Sequence, residues 1–204
     1  MIKCDVNVCG VVSRNAAVKK DNDGKEFFVF GLQIPVKNRQ GDEAKLEISV
    51  SNDGGKAKAA IFTTGKRVAV SGTMTVLKRK GKIYYNLRSE GDAELTSSKA
   101  EDNIDGTMTF RGKIGGKKGV EIRTDKNDKE YKVFAAFSSD KQQDGDPEFT
   151  WVNFLYFNPK DGEDFLQANA YIEAKGRLEL SVFKGDVTME CHVQEVKRWE
   201  LEKK

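Results

Sequence analysis

The chain has 204 residues, of which 33% are charged and 38% hydrophobic. That length allows one large domain or two ordinary ones, each able to bury a core. No apolar run approaches the roughly 20 residues that span a bilayer, which excludes a helical membrane protein. The net charge of +3, from 35 basic and 32 acidic residues, is small for a binder of polyanions, so any such role must rest on where the charges sit.

The opening Met1-Ile2-Lys3-Cys4-Asp5 lacks the layout of a signal peptide. The cysteines (Cys4, Cys9 and Cys191) are odd in number and form no Cys-x-x-Cys pair, so reduced, mostly buried thiols in a cytoplasmic protein are expected. Prolines are scarce, glycines are plentiful, and no long amphipathic helical pattern occurs. Short alternating segments between Gly/Asp/Asn turns read instead as an all-β barrel or sandwich. In the first half, strands are expected near Ile2–Val12, Lys25–Ile34, Lys45–Ser51, Arg67–Leu77 and Lys82–Glu90. Asp21-Asn22-Asp23-Gly24 and Lys80-Gly81 punctuate hairpins, and 53–64 has room for a short helix. The polar stretch Thr96–Gly106 reads as a linker.

The second half repeats this scheme. Gly176 follows Gly72 by 104 residues (176 − 72), and Gly185 follows Gly81 by the same number. Lys25-Glu26 and Lys129-Glu130 obey the same offset, each followed by an aromatic residue, Phe27 or Tyr131. Because the offset is even, strand faces are kept: Ile48 and Val50 fall on Val152 and Phe154, and Ile83, Tyr85 and Leu87 on Val187, Met189 and Cys191. Two copies of one five-stranded unit follow. Five strands with a short helix after the third, in about 100 residues, fit an OB-fold barrel. The expected layout is OB-fold 1 over residues 1–96, a linker over 97–106, and OB-fold 2 over 107–204.

The most aromatic stretch is Phe149-Thr150-Trp151-Val152-Asn153-Phe154-Leu155-Tyr156-Phe157-Asn158. Its length and β-forming residues make it a strand, with Trp151, Asn153, Leu155 and Phe157 on one face and Val152, Phe154 and Tyr156 on the other. One face fills the core, and the other still carries large rings. This stretch, with Tyr171-Ile172-Glu173-Ala174-Lys175-Gly176-Arg177-Leu178 and its first-half counterpart 64–74, resembles bacterial single-stranded DNA-binding (SSB) proteins. In that family the third strand opens on a Thr-x-Trp-type motif and ends on a Phe, and both rings stack on bases. The resemblance implies base stacking for Trp151 and Phe157, with single-stranded DNA as partner. Val152 and Asn153 replace the polar residues that usually follow the Trp. The ending Trp199-Glu200-Leu201-Glu202-Lys203-Lys204 lacks the family's acidic, Phe-terminated tip, which puts tail-mediated recruitment in doubt. The family usually has one barrel per chain in a tetramer; two per chain imply a lower homo-oligomer, a dimer being favoured.

Further contacts are expected from the first half, where Tyr84 and Arg88 alternate with core residues and face outward. Lys78, Arg79, Lys80 and Lys82 surround one hairpin tip between strands four and five, where OB-folds hold a strand. In the second half, Lys117, Lys118, Arg123 and Lys126 lie between strands one and two. The outward face of the first half's third strand is Glu47, Ser49 and Ser51, without an aromatic ring, so the barrels are expected to bind unequally.

Other chemistries find little support. The run 112–118 is glycine- and lysine-rich but one residue short of P-loop spacing and lacks the Ser/Thr. Asp21-Asn22-Asp23-Gly24 has its Gly too early for a calcium loop. His192, the single histidine, has no Cys or His at zinc-ligand spacing. No enzyme, cofactor or small-molecule substrate is expected. The expected function is coating of single-stranded DNA without sequence preference in replication, recombination or repair. Two alternatives stay open: an OB scaffold whose aromatic face binds a protein, and an RNA-binding OB protein.

Overall fold

A computed structural model describes residues 1–140, 145–160 and 162–200; the last residues of the ending discussed above, 201–204, lie outside them. In chain order the elements are β1 (Ile2–Lys20), β2 (Glu26–Lys37), β3 (Glu43–Asp53), α1 (Lys56–Ala59), β4 (Arg67–Arg79), β5 (Lys82–Ser89) and β6 (Glu94–Leu95). They continue with β7 (Asn103–Ile114), β8 (Val120–Thr124), β9 (Glu130–Asp140), β10 (Glu148–Tyr156), β11 (Tyr171–Phe183) and β12 (Asp186–Arg198). No helix among the described residues is long and apolar enough to cross a membrane.

Alternation in the sequence becomes two barrel interiors. Along β1, Ile2, Cys4, Val6 and Val8 are buried while Lys3, Asp5 and Asn7 are exposed. In the first barrel β1 pairs with β2, β2 with β3, β3 with β5 in parallel, and β5 with β4, which returns to β1 and closes the ring. The second closes in the same way through β7, β9, β10, β12 and β11, with β10 and β12 parallel. These are two tandem OB-folds. Phe28, Phe30 and Phe62 stack in one core, with the ring of Phe62 5.1 and 4.9 Å from the other two. Phe154 packs against Phe110 and Phe134, each 4.9 Å away, in the other. Each such ring contributes about 2 kcal/mol by leaving water.

The offset of 104 holds element by element. Carried forward, the bounds of β4 become Tyr171 and Phe183, the bounds of β11. Asp21 and Asp125 each accept two backbone N–H bonds in matching turns. Gly72 and Gly176 each lie where a Cβ would stand 2.1 Å from a carbonyl oxygen, that of Arg88 and that of His192. Only glycine lets the neighbouring strand approach so closely.

The stretch read as a linker is shorter than its composition suggests. From Asn103 onward it is strand, because Asn103–Gly106 pair antiparallel with Val6–Cys9. The β1–β7 ladder runs from Ile2↔Phe110 to Cys9↔Asn103 and fuses both barrels into one 12-stranded sheet. Cys4 pairs with Met108, its own counterpart in the repeat. The seam is therefore two-fold within one chain, the geometry of an isologous dimer interface. Two hairpins cross it in opposite directions. At the β4–β5 tip, Gly81 N–H donates to the Glu148 carboxylate at 3.0–3.1 Å, and Lys78 N–H to Asp140 at 2.9 Å. In return, Asn38 of the first barrel donates to the Val182 carbonyl at 3.1 Å.

Candidate nucleic-acid interface

The outward face of β10 carries Phe149, Trp151, Asn153 and Leu155, and Phe157 follows at its end. Val152, Phe154 and Tyr156 are buried in the barrel. Trp151 is 53% exposed, and Phe149 and Phe157 are each 43% exposed, so this strand leaves large rings in water. Neighbouring strands widen the surface. Trp151 pairs across β9 with Phe137, whose ring lies 5.0 Å from both Trp151 and Phe149. At the other end Phe157 stacks on Tyr131 at 5.1 Å and approaches His192 of β12 at 5.7 Å. The indole lies over Gly115, where a Cβ would come within 3.1 Å of the ring.

The loop 115–119 makes the main difference between the two barrels. In the first, β1 continues as one strand along β2 to Lys20, with register shifts between Val12 and Ala17. In the second, Gly-Gly-Lys-Lys-Gly interrupts the strand, and β8 restarts at Val120. Three glycines weaken a strand, and Gly119 has φ +62, which favours a turn. The parted loop leaves a groove of about 600 Å³ lined by Lys117, Lys118, Arg123, Trp151, Asn153, Leu155 and Glu190, among others. Arg123 belongs to β8, not to a loop. Its guanidinium bonds Glu121 at 2.7 Å and holds that carboxyl below the usual carboxylate range.

A second groove of about 620 Å³ lies between the barrels, with Trp151 and Asn153 again on its wall and Lys45, Lys78, Lys82 and Glu47 opposite. The structure thus gathers Trp151 with Lys117, Lys118 and Arg123 in one groove and with Lys78 and Lys82 in the other. Phe157 shares the face beyond both. Arg79, Lys80, Tyr84 and Arg88 line neither groove. Tyr84 is exposed with the Lys82 ammonium 5.8 Å from its ring centre, and Arg88 is engaged by Asp53, which Lys25 also binds at 2.9 Å. The first barrel's equivalent of Trp151 is Glu47, which accepts a 2.5 Å bond from Ser13. Its face is polar, with Glu47, Ser49 and Ser51 outward.

Sequence reading passed over Phe149, although alternation puts it on the Trp151 face. Phe137 and Tyr131 required the β9–β10 register, which no local pattern supplies. Around His192 the structure collects Glu179 and Glu190, whose ligand atoms and the imidazole all lie within 4.8 Å of one another. Both carboxylates lie 3.1 Å from His192 Nε2, and Arg177 Nη2 reaches Glu179 and His192 Nδ1 at 3.0 Å each. Arg177 supplies positive charge within the cluster.

Known proteins resemble this chain in fold. No protein-family model matches it, and no curated protein does. Among solved structures, the wild-type single-stranded DNA-binding protein from Thermus aquaticus aligns over 100% of this chain and 95% of its own, with TM-score 0.51 and 11% identity. A deletion variant of that protein covers 100% and 97%, with TM-score 0.49 and 12% identity. The mitochondrial single-stranded DNA-binding protein Rim1 of S. cerevisiae covers 48% of this chain and 96% of its own, with TM-score 0.36 and 18% identity. At such identity the likeness to the wild-type Thermus aquaticus protein establishes the fold alone, two tandem OB-folds in one chain.

Proposed function

We propose that this protein binds single-stranded DNA on the outward face of its second barrel. Bases stack on Trp151, Phe157 and their neighbours while Lys117 and Lys118 follow the phosphates. Its role is to coat exposed strands during replication, recombination or repair. The observation that carries the reading is the row of exposed rings along one strand, bordered by a cationic loop. Stacking is tolerant of sequence because every base has a π-face, and cations over phosphates make binding salt-dependent. Known single-stranded DNA-binding proteins of the same architecture support the reading. The first barrel contributes Lys78 and Lys82 across the seam.

The test is tryptophan fluorescence during titration with a mixed-sequence DNA oligonucleotide, using Trp199→Phe so that Trp151 alone reports. Saturating quenching that weakens as salt rises is the expected result. No change well above micromolar concentrations would overturn the reading and favour a protein-binding scaffold. Tighter binding of the matching RNA would reassign the ligand.

A further inference from the structure

We infer that the groove beside Trp151 discriminates between bases, with Glu190 selecting cytosine over thymine. The inference rests on the proposed single-strand binding and adds a bias to otherwise tolerant stacking. The two sides of the groove differ in character. Lys117, Lys118 and Arg123 stand on the β7–β8 side, where Arg123 bonds the Glu121 carboxylate at 2.7 Å, and Asn153 and Glu190 are neighbours on the β10–β12 side, paired in the parallel register. A nucleotide fits this polarity in one sense only, with phosphate toward the cations and base edge toward the polar pair. Asn153 lies two residues from Trp151 on the same face, about 6.6 Å along the strand, so a base stacked on the indole brings its edge to that pair.

The acceptor is fixed from behind. A guanidinium only donates, so in the 3.0 Å contact of Arg177 Nη2 with His192 Nδ1 that nitrogen accepts and the ring N–H is on Nε2. Nε2–H then donates toward Glu190 Oε1, 3.1 Å away, as well as toward Glu179. Among the described residues, no protein group bonds Glu190 Oε2 or the Asn153 amide. A carboxylate accepts only. Cytosine offers it the two hydrogens of the N4 amino group, whereas thymine presents the O4 acceptor at that position, beside a single N3–H. Asn153 can turn either end of its amide and so tolerates both.

The experiment compares short oligodeoxycytidylate and oligodeoxythymidylate of equal length, read by Trp151 quenching in the Trp199→Phe background at slightly alkaline pH. The parent is expected to bind the cytosine oligomer roughly threefold to tenfold more tightly, the scale of one ordinary net hydrogen bond. Glu190→Gln, an isostere whose amide turns either way, is expected to bring the ratio to about one. Glu195→Gln removes the same charge from an exposed position of β12 outside the groove lining and is expected to keep the preference. Equal affinities in the parent, or a preference that survives Glu190→Gln, would overturn the discrimination and leave single-strand binding standing. Failure of both oligomers to quench Trp151 would remove the binding reading and this inference with it.

Discussion

At the scale of single residues, the face of the second barrel leaves large rings in water beside a well-filled core. Trp151→Ala is expected to weaken oligonucleotide binding by about 1–3 kcal/mol, the usual worth of one stacked base, while leaving the melting temperature almost unchanged because the ring is more than half exposed. Fluorescence anisotropy of a labelled oligonucleotide and a thermal melt read the two halves of that statement. Phe157→Ala is expected to act in the same direction. Titratable residues give a second residue-scale prediction. Burial pushes the thiols of Cys4 and Cys191 up to about 12, so at mildly alkaline pH both stay protonated and unreactive in the native state. Cys9 is only partly buried. Mass spectrometry after iodoacetamide treatment should find Cys9 modified first, and Cys4 and Cys191 only after denaturation. Early modification of Cys4 would contradict its place in the core.

At the scale of elements, the β7–β8 loop and the β4–β5 hairpin have separate roles that experiment can separate. Changing Lys117 and Lys118 together to Ala should lower the slope of log K against log salt by about 1.4, since each phosphate contact on a single strand accounts for about 0.7. An unchanged slope would place the phosphates elsewhere. The hairpin is held by carboxylates of the other barrel, and Glu148→Ala removes the acceptor of the Gly81 N–H. Amide hydrogen exchange at Gly81 should then accelerate, with little change in global stability because the contact is exposed. Backbone approach gives the sharpest element-scale contrast. Gly176→Ala places a methyl group 2.1 Å from the His192 carbonyl oxygen and should destabilise the β11–β12 pair strongly, whereas Gly162→Ala, with nothing within 4 Å, strains only its own backbone at φ +80. Comparison of the two denaturation midpoints tests this.

At the scale of the whole molecule, the seam makes two barrels into one sheet. Both tryptophans lie in the second barrel, so their fluorescence reports that barrel, while far-UV circular dichroism reports both. If the eight-residue pairing Ile2–Cys9 with Asn103–Phe110 couples them, the two signals should lose structure at the same denaturant concentration. Separate transitions would mean that the seam is weak and the barrels fold independently. The seam also explains why the end of the apparent linker, from Asn103 to Gly106, is strand: polar residues such as Asn103 and Asp105 suit a strand exposed on its outer face, and Asn7 donates to Asp105 across it at 3.3 Å.

The sequence by itself determined the two five-stranded units, the faces of their strands and the aromatic stretch. Each of those is written in spacing along the chain: alternation of period two, turn glycines, and an even repeat offset that carries one barrel's faces onto the other. Tertiary structure alone decided which separated pieces meet. It joined β1 to β7, turned the cationic hairpin onto the neighbouring barrel, paired Arg88 with Asp53, set Phe137 and Tyr131 beside the Trp151 strand, and brought Arg177, His192 and Glu190 into line behind the groove. Register and packing between distant segments depend on how whole surfaces fit, and no local pattern of residues encodes that fit.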